Sequence, residues 1–116
     1  MEFATKLAGA RLVMVLGHSS CGAVRGACAD VTLGNLTGLL DKIKPAIALV
    51  DGFTPEESTP TNDRFVDAVA RANVRQGKTT IRERSEVLTD LEEEGAIMIV
   101  GAYYDLRSGR VTLLEN

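Results

Sequence analysis

The stretch that most constrains this chain is LVMVLGHSSCGAVRGA, from Leu12 to Ala27. Apolar residues run unbroken from Leu12 to Leu16, stop at Gly17, and give way to His18, Ser19, Ser20, Cys21 and Gly22. A run of strand length bounded by glycine predicts a buried parallel strand covered on both faces, although its periodicity alone also fits a buried helix. The turn beyond such a strand is where open α/β sheets place their ligands. His18 is the single histidine of the chain and Cys21 the first of its 2 cysteines, and both fall in that turn.

The rest of the chain fits around this strand. Phe3 and Leu7, four apart with Gly9 beyond them, predict a short helix over Glu2 to Ala8. A helix from about Cys21 to Ala29 follows the loop, and Asp30 to Gly34 reads as a connection. Asn35 is the expected cap of a helix carrying Leu36, Leu39, Leu40, Ile43, Ile47 and Val50, with a kink or restart at Pro45. Asp51 to Pro60 is the most loop-like stretch. Asn62 and Asp63 cap a long helix through Phe65, Val66, Val69 and Ala72 toward Ile81, and Ser85 caps a last helix ended by Gly95. Glu92 to Glu94, at the unfavourable end of that helix's dipole, is expected to be a solvated face. Ala96 to Ala102 predicts a second buried strand, and Tyr103 to Arg110 turns into an edge strand over Val111 to Leu114. Two strands flanking a helical middle imply right-handed crossovers, so the expected fold class is α/β, a parallel β-sheet core with an antiparallel C-terminal edge strand.

At 116 residues the expectation is one domain, residues 1–116. Thirteen Lys plus Arg against 16 Asp plus Glu leave a formal charge of -3, without the basic stripe of a nucleic-acid binder. No apolar stretch approaches a membrane span, and Glu2 stands where a signal peptide carries basic residues, so a cytoplasmic protein is expected, with no nucleic-acid or membrane partner. Cys21 and Cys28, two helical turns apart, are beyond disulfide reach, and Cys28 beside Ala27 and Ala29 reads as a small buried apolar residue.

His-x-x-Cys around a tight turn brings an imidazole and a thiolate to one metal ion, the donor pair zinc prefers. Gly22, which lets backbone approach closely, is the substrate-binding candidate. A closed zinc site needs four ligands and a catalytic one usually three plus water, so His18 and Cys21 alone do not complete one. The plain alternative is a loop histidine bonded to backbone beside a half-buried cysteine. A phosphatase-like loop fails on spacing, since Arg25 follows Cys21 by four residues and Ala27 stands six after it. A cysteine at a helix N-terminus still leaves a thiol or redox role open.

VMVLGHSSCGAVRGA resembles the zinc-binding segment of the β-class carbonic anhydrases, and the resemblance continues through GNLTGLLDKIKPAI, FVDAVARANV, IRERSEVL and IMIVGAYYDLRSGRV. It implies a parallel-sheet α/β fold, zinc held by two cysteines and one histidine, and reversible hydration of carbon dioxide to bicarbonate and a proton. It further implies a homo-oligomer, dimer or higher. By resemblance His18 and Cys21 are the second and third zinc ligands. The family's first zinc cysteine lies upstream in a Cys-x-Asp-x-Arg segment whose aspartate and arginine form a dyad at the metal. That segment has no counterpart in this sequence, so no catalytic residue is assigned and the expectation is an N-terminally truncated domain with half a metal site. Asp105-Leu106-Arg107 repeats the Asp-x-Arg spacing, but Tyr103 stands in the cysteine's place. The rival readings are a catalytically inactive fragment, an oligomerising or metal-binding module, and a thiol protein using Cys21.

Overall fold

The computed structural model describes residues 1–115. β1 (Leu12–His18) and β2 (Met98–Tyr104) lie parallel, with Leu12 opposite Met98 and His18 opposite Tyr104. Joining parallel strands requires a long crossover. Here it is built from α1 (Gly22–Cys28), α2 (Gly34–Ile47), α3 (Asp63–Arg84) and α4 (Glu86–Glu93). β3 (Val111–Leu114) then returns antiparallel to β2, giving the order β1-β2-β3. The α/β architecture expected from the sequence is the one observed.

Pairing carries both long strands two residues further than their apolar runs suggest. β1 continues through His18, and the Ser19 N–H still donates to the Tyr104 carbonyl at 3.0 Å. β2 correspondingly covers Met98–Tyr104 rather than Ala96 to Ala102. His18 is therefore the last residue of a strand, not the first of a loop.

The expected helix caps are half right. The Asn62 side chain accepts from the Arg64 N–H at 3.2 Å, and the Ser85 hydroxyl accepts from the Leu88 N–H at 3.2 Å while donating to the Glu2 carboxylate. α2 instead begins at Gly34, one residue before Asn35, and the Thr37 hydroxyl reaches back to the Leu33 N–H at 2.8 Å. Pro45 sits in the last turn of α2, where its missing donor forfeits a single helical bond, and the helix runs on to Ile47. The N-terminal turn, Phe3–Leu7, is π-helical and closes at Gly9, whose φ of +82° suits glycine.

α3 is the element that positions the rest. Its Val66, Val69 and Ala70 are buried among Val24 of α1, Leu40 and Ile43 of α2, and Tyr103 of β2. Val74 lies against two glycines of the sheet: a Cβ on Gly17 would stand 2.7 Å from one Val74 methyl, and a Cβ on Gly101 2.8 Å from the other. Glycine at these positions is what lets the helix approach. On the other side of β1 the expectation of full coverage fails. Leu12, Met14 and Leu16, and beside them Met98 and Leu113, are exposed, so the described helices cover one face of the sheet. An apolar run is compatible with either arrangement, because hydrophobicity records what a face prefers and not what covers it. No helix among the described residues is long and apolar enough to cross a membrane.

Candidate metal centre

β1 delivers His18, and the four-residue stretch from His18 to Cys21 then turns into α1. Ser20 makes the turn possible by adopting φ of +54°, a left-handed conformation uncommon outside glycine. The loop is pinned from three directions. Ser19 N–H bonds the end of β2, the Ser19 hydroxyl accepts from Leu106 N–H in the β2–β3 turn at 2.9 Å, and Ser20 N–H donates to Asp67 of α3 at 3.3 Å.

His18 Nδ1 lies 2.8 Å from the Ser19 carbonyl oxygen. A carbonyl only accepts, so in the neutral ring the proton sits on Nδ1 and the Nε2 lone pair is left for another partner. This backbone bond is what the plain alternative anticipates, and it is also how metal-binding histidines are oriented. Cys21 occupies the N-cap position of α1, half-buried, and its side chain caps nothing. Both side chains line one cavity of about 220 Å³, together with Val15, Leu16, Val24, Ile43 and Val74. Since residues of both parities of β1 border it, the cavity lies along that strand's unpaired edge and not over one face.

Nitrogen and sulfur donors suit zinc, and this pair fits half of a zinc ligand set. Among the described residues no group of three or more His, Cys, Asp or Glu gathers around one point. Gly22 opens α1 outside the cavity, with nothing within 4 Å of where its Cβ would stand. Cys28 ends the same helix as a free thiol, pushed up by burial against the pull of Arg25. Asp105 and Arg107 border a different cavity, which also takes in Ser19 and Ser20. Sequence reading missed that second cavity, whose walls include Asp67 and Arg71. The signal was present, since Asp63, Asp67 and Arg71 recur every four residues and so share a face of α3.

Comparison with known proteins follows the same outline. A family model described as carbonic anhydrase matches residues 1–111. Carbonic anhydrase 2 of Mycobacterium tuberculosis is 28% identical over 123 residues, an alignment covering 100% of this chain and 55% of that protein. The carbonic anhydrase of Pseudomonas aeruginosa is 29% identical over 116 residues, with 100% and 52% covered. The chain thus spans about half the length of the curated relatives it matches. Among solved structures, one from a pair of tetrameric β-carbonic anhydrases of Sordaria macrospora superposes with a TM-score of 0.80 at 20% identity, covering 99% of this chain and 57% of that one. A β-carbonic anhydrase of Aspergillus fumigatus gives 0.77 at 26% identity, covering 98% and 53%.

Proposed function

This chain belongs to the β-class carbonic anhydrase family, and from that premise we propose that it supplies half of a zinc site for the reversible hydration of carbon dioxide to bicarbonate and a proton. The observation that carries the reading is the meeting of His18 and Cys21 on one apolar-walled cavity, with the Nδ1 bond leaving Nε2 available.

His18 would bind zinc through Nε2, held in orientation by the Ser19 carbonyl, and Cys21 through its thiolate. A zinc ion so held supplies Lewis acidity, lowering the pKa of a water enough to make a nucleophile near neutral pH. The side chains of Val15, Leu16, Val24, Ile43 and Val74 give the substrate an apolar approach suited to an uncharged gas. Completion of the ligand set requires at least one donor from beyond the described residues, supplied by a further segment or by another copy. The exposed apolar face bearing Leu12, Met14 and Leu16 supports association with a second copy.

Metal analysis of the purified chain tests this reading. Zinc should accompany the wild type, fall about tenfold or more in His18→Ala and in Cys21→Ala, and carry carbon dioxide hydration with it. Zinc retained in both variants would overturn the assignment. A folded, zinc-free chain would identify an inactive relative, and rapid Cys21 alkylation indifferent to chelators a thiol protein.

A further inference from the structure

The two candidate ligands are held in place by different means. His18 ends β1, its backbone fixed by pairing with β2 and its ring by the Ser19 carbonyl. Cys21 has neither support. It precedes α1, a helix of 7 residues that contains Gly22 and Gly26 and has no side-chain cap. So short a helix with two glycines in it does not hold itself together. Where Cys21 stands therefore depends on what fixes α1 against its neighbours.

Val24 and Ala27 are buried in the core, and Gly26 faces Leu40 of α2. Such apolar contacts are non-directional, so they set the depth of the helix and leave its rotation and slide to other bonds. Lys44 pairs with Asp30 just beyond α1, but Asp30 is well exposed and lies at the end away from Cys21. Arg25 supplies the directional contact. One guanidinium nitrogen donates to the Pro60 carbonyl, and another donates to Asp63 at 2.7 Å. Both acceptors sit at the entry to α3, whose Ala70, Asn73 and Val74 line the same cavity as His18 and Cys21. The Arg25 N–H in turn closes the first turn of α1 on the Cys21 carbonyl at 3.0 Å. Bonds thus run without a break from Cys21 through Arg25 to the helix that walls the cavity.

We propose that Arg25 is the positioning residue for Cys21: its guanidinium fork clamps α1 to the start of α3 and so holds the thiol at the cavity it shares with His18. The consequence for metal binding rests on the reading of His18 and Cys21 as zinc ligands, whereas the consequence for the thiol needs no metal. A planar fork reaches a carbonyl and a carboxylate at once, and a lysine ammonium is a point charge on a flexible stem. Arg25→Lys therefore keeps the charge and loses the clamp.

Alkylation of Cys21 by uncharged iodoacetamide in the metal-free chain, with Cys28→Ala removing the other thiol, tests the proposal. The rate should rise about fivefold in Arg25→Met and in Arg25→Lys, because α1 opens more often without its clamp. Asp63→Ala, which removes one arm at an exposed position, should raise it less. A role through charge alone predicts the opposite, since Arg25→Met would deprive the thiolate of a neighbouring cation and slow the reaction, and Arg25→Lys would leave it as in wild type. The nitrogen-15 shifts of the His18 ring should not change in Arg25→Met, because β1 is held by the sheet. Zinc affinity should fall about tenfold in Arg25→Met, with no further loss where Cys21 is already alanine. A slower or unchanged alkylation rate in Arg25→Met, moved His18 nitrogens, or zinc affinity equal to wild type would overturn the clamp. A wild type that binds no zinc would overturn the zinc reading and leave the alkylation rates to decide this one.

Discussion

The apolar and polar cavities meet on one short loop, and they divide it between them. His18 and Cys21, its ends, border a space walled by Val15, Val24, Ile43 and Val74, whereas Ser19 and Ser20, its middle, border a space walled by arginine and aspartate. The first lies along the edge of a strand, where apolar side chains converge. The second lies over an exposed face of α3, where charge is tolerated. The left-handed turn at Ser20 belongs to the loop that separates them. The contrast teaches that one short backbone segment can serve two cavities when the environment on each side of it differs in polarity. The first is walled mainly by aliphatic side chains, and the second by side chains of both charges.

Gly17 is the residue on which this division is most sharply tested. A Cβ there would meet Val74 of the apolar cavity at 2.7 Å and approach Tyr103 of the polar one at 3.8 Å. Gly17→Ala should therefore cost about 1–3 kcal/mol of unfolding free energy, measured by urea denaturation, and weaken the zinc binding proposed for His18 and Cys21. A variant as stable as wild type would mean that the partition yields and the two cavities are not rigidly separated.

A smaller effect is expected far from both cavities. Arg82 of α3 donates two hydrogen bonds of 2.8 Å to Glu92 of α4, and they hold the Glu92 carboxyl below its usual range. The unfolded chain then takes up the proton first as pH falls. The stabilisation is present above the ordinary glutamate pKa and is lost as pH drops through the lower folded value. Glu92→Gln should flatten that acid-side slope in melting temperature, cost less than about 1 kcal/mol at neutral pH, and leave zinc binding unaltered. Impaired zinc binding would tie this helix contact to the cavities and blur the contrast.

Those tests also mark how far the sequence was legible. The strand before His18, the helical middle and the final hairpin could be read from apolar runs and turn residues, and Asn62 and Ser85 announced their helices because a cap acts locally. His18 and Cys21 could be paired because three residues of tight turn cannot carry them far apart. What escaped reading depends on partners distant in sequence. The Glu92 carboxylate, expected in solvent at the wrong end of a dipole, is half-buried because Arg82 meets it. The open face of β1 reflects the absence of a covering layer among the described residues, which no property of Leu12 or Met14 can reveal. The polar cavity joins α3, the Ser19–Ser20 turn and the β2–β3 turn, and Tyr103, expected to open the final turn, is instead a buried strand residue with Arg71 over its ring.

Because His18 is the only histidine, its imidazole nitrogens can be followed without ambiguity by nitrogen-15 NMR of the labelled chain. The metal-free chain should show the neutral ring protonated at Nδ1, and added zinc should shift Nε2 in wild type but not in Cys21→Ala. A ring protonated at Nε2, or nitrogens that zinc leaves unmoved, would contradict the assignment of His18 and Cys21 as half of a zinc site.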